Sequence, residues 1–124
     1  MRLVTTVSAI KYYEAGTSVS YGRRYTTERY SKIGVLAAGY ADGLPRAASG
    51  KCAFYTPQGA APQVGTICMD MCMADLTDLD SVDIGTEVEL FGEHADLCAL
   101  AAAAGTIPYE ILCSVTKRVP RKYR

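Results

Sequence analysis

The sequence predicts a mainly β domain, a small closed or nearly closed Greek-key β-barrel with two short helices near the C-terminus. Three observations lead there. About seven segments rich in β-branched and aromatic residues are separated by Gly, Pro and Asp-Gly turn signals. Helical patterning begins only after Asp96. Nowhere do strands and helices alternate in the β-α-β order that a parallel sheet requires.

Taken in order, Leu3 to Tyr13 is rich in Val, Thr, Ile and Tyr and reads as an extended strand ended at Gly16. It starts almost at Met1, with no lead-in, so Met1 is expected to mark a cut or a truncated gene. Ser18 to Tyr25 follows the turn at Glu14–Gly16 and sets Tyr21 beside Gly22, Arg23 and Arg24. A tyrosine in a short β segment is far more often a packing residue with a hydrogen-bonded hydroxyl than a proton-transfer group. Thr26 to Tyr30 is polar, and the apolar run Ser31–Ala38, bounded by Gly39, reads as a central strand. Tyr40–Gly43 supplies an Asp-Gly turn, Leu44-Pro45-Arg46 stops regular structure, and Ala47–Gly50 leads into a strand at Lys51–Tyr55.

After a turn at Thr56–Gly59, Gln63 to Asp75 reads as the longest extended segment, with Gly65 its one breaker. Alternation then puts Ile67, Met69, Met71 and Met73 on one face and Cys68, Asp70 and Cys72 on the other. A carboxylate between two cysteines on a buried face needs a partner, so Asp70 is expected to meet an arginine or backbone amides. Asp78, Asp80 and Asp83 lie in a loop whose spacing lacks the D-x-D-x-D-G pattern and the closing glutamate of a calcium site. Thr86–Phe91 returns as an alternating strand. Leu97–Ala104 has high helix propensity and stops at Gly105. Thr106 is expected to cap a second helix, with Pro108 and Glu110 in its first turn and Tyr109 near its start. Pro120 keeps the basic tail 117–124 from continuing that helix.

Composition removes several function classes. The chain of 124 residues holds 13 acidic and 13 basic side chains, so no long-range field favours nucleic acid. No apolar run approaches the ~20 residues that span a bilayer, and Met1–Val4 lacks the apolar core of a signal peptide, so a cytoplasmic protein without a membrane partner is expected. Five cysteines are an odd number, and Cys68, Cys72, Cys98 and Cys113 sit among apolar residues, which predicts buried free thiols. With no C-x-x-C and with His94 far from Cys72, no metal site is expected.

Five stretches, in order and covering almost the whole chain, point to a family: Ser20-Tyr21-Gly22 with Tyr25; Gly39-Tyr40-Ala41-Asp42-Gly43 with Arg46; Ala61-Pro62-x-Val64-Gly65-x-Ile67-Cys68-Met69-Asp70; Thr106-Ile107-x-Tyr109-Glu110; and Arg118-Val119-Pro120-Arg121. With them the chain resembles the C-terminal β-domain of alanine racemases, the fold-type III pyridoxal-phosphate enzymes that interconvert L- and D-alanine. The resemblance implies that Tyr21 is the second catalytic base, serving one face of the cofactor-bound substrate while the cofactor lysine serves the other. A free phenol has a pKa near ~10, so holding the phenolate at about pH 7.5 costs roughly 3 kcal/mol unless the site lowers that value. Arg23 and Arg24 are its neighbours in sequence, but strand alternation sends successive residues to opposite faces, so helping cations are expected outside this chain.

Met69 falls where the family uses a backbone amide to hold the substrate carboxylate, and Tyr109 where a tyrosine touches the cofactor phosphate and narrows the site around the substrate methyl. Tyr40 and Arg46 match the entrance to the active site, and Asp70 falls to structure or to the entrance corridor. Thr66 stands where many members carry an arginine, which removes an entrance ion pair. No lysine here matches the family's cofactor lysine, which lies in an N-terminal TIM-type barrel. The resemblance therefore implies one C-terminal-type β-domain over residues 1–124 that is inactive and binds no pyridoxal phosphate by itself. The full enzyme uses that cofactor, with the barrel domain supplied in cis or in trans and the site shared across a homo-oligomer, to supply D-alanine for peptidoglycan precursors. Serine is the neighbouring substrate, which Tyr109 disfavours. The contrasting class is a stand-alone, non-catalytic β-barrel that pairs with or regulates another protein.

Overall fold

The computed structural model describes residues 1–20, 22 and 24–124. Its strands are β1 (Leu3–Tyr13), β2 (Ser18–Val19), β3 (Tyr25–Thr26), β4 (Ser31–Leu36), β5 (Ala53–Thr56), β6 (Gly59–Val64), β7 (Cys72–Asp75) and β8 (Glu87–Phe91), followed by the helices α1 (Leu97–Ala103) and α2 (Pro108–Ser114). Six strands close into a barrel in the order β1-β4-β7-β6-β5-β8, every pairing antiparallel, while β2 and β3 form a separate ladder. The mainly β barrel with late helices is thus as the sequence predicts.

Closure depends on β1. Its first half, Leu3–Thr6, pairs with β8, and its second half, up to Tyr13, pairs with β4. The register shifts between Val7 and Ala9, where the Ser8 hydroxyl donates to Val35 O at 3.1 Å, and again between Leu3 and Val4. Such irregularities bend a strand enough to serve two neighbours around a small barrel. β4 is buried along nearly its whole length, as a central strand should be. Gly34 in its middle leaves room for Leu76, whose Cδ1 would lie 2.5 Å from an added Cβ. The core is built from Leu36, Phe54, Ile67, Leu76, Leu90 and Phe91, all fully buried, each stabilising the fold by roughly 1.5–3 kcal/mol. Leu100 and Ala101 of α1 and Ile111 of α2 join the same core.

Helix ends follow their local chemistry with one exception. Asp96 caps α1 by accepting from the Cys98 N–H at 2.9 Å, and Gly105, at φ 73°, turns the chain beyond it. For α2 the N-cap is Ile107, with no side-chain cap and Pro108 at the first position, so Thr106 does not cap it. There Pro108 removes one of the free N–H groups of the first turn.

The larger correction concerns 63–75. Gly65 takes φ +72°, and an added Cβ there would meet the Ser20 Cβ at 2.3 Å. That close approach ends β6, and residues 65–71 form a loop before β7. The expected alternation therefore fails: Ile67 is buried, whereas Met69, Asp70 and Met71 are exposed. The thiols are free, but Cys98 and Cys113 lie exposed on the helices. Burial pushes the Cys52 thiol up to about 11 and raises that of Cys72 further.

Candidate functional site

Two backbone segments cross beside the end of β6. The first is the turn Tyr40–Asp42, entered through Gly39, and the second is the loop 65–71. The Tyr40 N–H donates to Cys68 O and the Ala41 N–H to Met69 O, both at 3.0 Å. Only glycine permits this crossing, since a Cβ on residue 39 would lie 2.1 Å from Cys68 O and 2.5 Å from Met69 O. The Cys68 N–H closes the loop on Met71 O at 2.9 Å. Among the described residues no acceptor engages the Met69 amide, and Tyr40 and Met69 are about half exposed (45% and 52%). An N–H left unpaired in a half-exposed residue is able to receive an anionic ligand group.

The segment before Tyr21 is fastened to the same loop. Ser20, at φ 73°, donates through its hydroxyl to Thr66 O and accepts from the Thr66 N–H, each at 3.1 Å. Tyr21, the expected base, and Arg23 lie outside the described residues. The turn Arg46–Ala48 is attached as well: the Ser49 hydroxyl donates to Arg46 O at 2.6 Å and accepts from the Ile67 N–H at 2.9 Å. Arg46 itself is exposed at this edge. The buried Thr66 Oγ1 has no hydrogen-bond partner among the described residues.

A third wall comes from the C-terminal segment. Arg118 donates through Nε to Asp42 Oδ1 at 2.8 Å and through an Nη to Asp70 Oδ1 at 2.9 Å. Asp42 Oδ2 accepts from the Gly39 N–H at 3.0 Å. The Thr116 hydroxyl donates to Ala41 O at 2.7 Å, and Arg121 caps the carbonyls of Val115, Thr116 and Val119. Gly43, at φ +110°, lies close enough to the Val115 backbone that a Cβ would come within 2.7 Å of its Cα.

Asp70 thus has the arginine partner expected of it, but as an exposed ion pair and not as a buried one. Tyr40, Met69, Asp70 and the Arg46 turn are brought together. Tyr109 is not tied to them: it sits in the first turn of α2, 75% exposed, and makes none of the hydrogen bonds joining these segments. Sequence reasoning did not single out Asp42 and Arg118, which tie these segments together. Both stand inside quoted motifs, and that was the one available signal.

A strongly shifted carboxylate lies elsewhere, on β8. Burial pushes Glu89 up, but the N–H groups of Ala95 and His94 and the Arg2 guanidinium outweigh it and hold the carboxyl at about 2. Among the described residues no cluster of His, Cys, Asp or Glu could hold a metal ion, and no single helix is long and apolar enough to cross a membrane.

Comparison with known proteins matches residues 1–123 to the family described as alanine racemase, C-terminal domain. Alanine racemase 1 of Clostridium acetobutylicum is 47% identical over 127 residues, covering 99% of this chain and 33% of that protein. The catabolic alanine racemase of Pseudomonas aeruginosa is 45% identical over 123 residues, covering 99% and 34%. The crystal structure of the biosynthetic alanine racemase of P. aeruginosa superposes with a TM-score of 0.95 at 37% identity, over 99% of this chain and 34% of that one. That of Bartonella henselae, with covalently bound pyridoxal phosphate, gives 0.94 at 38% identity, with the same coverage. The chain spans about a third of the length of the relatives it matches. The barrel with its crossed turn and loop, and the match over nearly every residue, place the chain in the alanine racemase C-terminal domain family.

Proposed function

We propose that this domain works as the C-terminal part of an alanine racemase, interconverting L- and D-alanine with pyridoxal phosphate. The observation that supports it best is the docking of Ser20, the residue before Tyr21, on the loop that leaves the Met69 amide unpaired among the described residues. In this reading the Tyr21 phenolate takes the α-proton on one face of alanine, or its hydroxyl returns one there, a step worth typically ~10²–10⁴ in rate. The Met69 N–H donates to the substrate carboxylate. Tyr40 and Arg46 line the entrance, and Tyr109 borders the cofactor phosphate and the substrate methyl.

When bound, pyridoxal phosphate supplies the electron sink that makes an α-C–H acidic. The lysines of this chain do not fit its covalent attachment. Lys32 Nζ is engaged by Leu79 O, at 3.2 Å, and by Val82 O, and Lys11, Lys51, Lys117 and Lys122 are exposed on the surface. The attachment lysine is therefore assigned to a barrel domain supplied in cis or in trans. The same reading gives a homodimer with a shared site in the bacterial cytoplasm, producing D-alanine for the cell wall.

The test is a chimera in which this chain replaces the C-terminal third of the C. acetobutylicum enzyme. We expect D-alanine formation from L-alanine, falling about 100-fold or more in Tyr21→Phe. A folded chimera without racemase activity, or a Tyr21→Phe variant as fast as its parent, would contradict the proposal.

A further inference from the structure

We infer that Arg118 is a positioning residue that fixes the Met69 amide by joining Asp42 to Asp70; this rests on the racemase reading of Met69. The geometry is a chain of fixed points. The C-terminal segment is held by Arg121 on the Val115, Thr116 and Val119 carbonyls just past α2 and by Thr116 on Ala41 O. From that segment one guanidinium spans two others: Nε meets Asp42 on the turn and Nη meets Asp70 on the loop, at 2.8 and 2.9 Å. Asp42 is held at both oxygens, by Arg118 and by the Gly39 N–H, and its side chain is only 14% exposed. Asp70 is the residue after Met69, so holding its carboxylate limits the rotation of the peptide units around the Met69 amide.

Without Arg118 the tip of the loop, with Met69, Asp70 and Met71 all exposed, would rest on the Tyr40 and Ala41 hydrogen bonds and on its own turn. Exposed ion pairs contribute little to stability. Their use here is geometric, since a planar fork sets the separation of two carboxylates in a way a lysine ammonium does not. Arg118 also neutralises two carboxylates beside the place proposed for an anionic substrate group, so the test must separate position from charge.

In the chimera, Arg118→Gln is expected to raise KM for alanine about tenfold while kcat stays within about threefold, because a ground-state binding contact is loosened. Arg118→Lys is expected to recover only part of the loss. Adding Asp42→Asn and Asp70→Asn to Arg118→Gln removes the repulsion without restoring the position, so KM should stay high; full recovery would overturn positioning in favour of charge alone. The second readout needs no activity. Amide exchange of the chain itself should show the Tyr40 and Ala41 N–H groups, whose acceptors are Cys68 O and Met69 O, exchanging about tenfold faster in Arg118→Gln. Unchanged exchange refutes the inference whether or not the parent chimera racemises alanine, whereas an inactive parent with altered exchange refutes only the racemase reading.

Discussion

Replacing Gly39 by alanine probes the crossing on which the site is built. The residue sits at φ −151° and ψ −159°, an extended conformation open to any residue, so the backbone costs nothing. The cost is steric. The new Cβ would lie 2.1 Å from Cys68 O and 2.5 Å from Met69 O, where ordinary contacts require more than 3.0 Å. The two segments must separate by about 1 Å, which stretches both 3.0 Å hydrogen bonds from Tyr40 and Ala41 beyond useful length. Two lost bonds at about 0.5–1.5 kcal/mol each, with carbonyls left poorly paired, give a destabilisation of about 2–4 kcal/mol. Urea denaturation measures it, with Gly50→Ala as the control. Gly50 has φ +71° and nothing within 4 Å of an added Cβ, so it shows only the left-handed strain of about 1–2 kcal/mol. A Gly39→Ala variant within about 0.5 kcal/mol of the parent in the same denaturation would refute the reasoning.

Other outcomes follow from the rest of the fold. Glu89, held at about 2 against an ordinary 4.5, gives stability that is fully present above about pH 4.5 and is lost as the pH falls towards 2. The gain is on the order of 2–3 kcal/mol, so unfolding free energies measured from pH 6 to 2 should fall steeply for the parent and less for Glu89→Gln. Asp96→Ala removes the cap on the Cys98 N–H and should cost about 1 kcal/mol in thermal or urea unfolding.

The sequence was most legible where structure is local. β1 between Leu3 and Tyr13, the buried run of β4 and the helix from Leu97 to Gly105 follow from β-branched and aromatic composition, an apolar run, helix propensity and end signals that act over a few neighbours. The stretch 63–75 was misread because Gly65 breaks the strand for a tertiary reason, its approach to Ser20, which no local pattern contains. Asp70 shows the same limit: its need for a partner was legible, but its exposure and its partner Arg118, 48 positions away, depend on where the C-terminal segment returns. Of the site, the segments carrying Tyr40 and Met69 meet through backbone atoms, Tyr40 N–H on Cys68 O and Ala41 N–H on Met69 O, which side-chain patterns do not encode. Tyr109 stands apart from that group, and Tyr21 lies outside the described residues.

The central claim, that Tyr21 is one of two opposed bases, is tested most directly by α-proton exchange in deuterated water. In the chimera both L- and D-alanine should exchange their α-proton. In Tyr21→Phe, exchange should persist for the enantiomer served by the lysine of the barrel domain and fall at least about 100-fold for the other. Equal exchange of both enantiomers in Tyr21→Phe, or equal loss of both, would contradict the account.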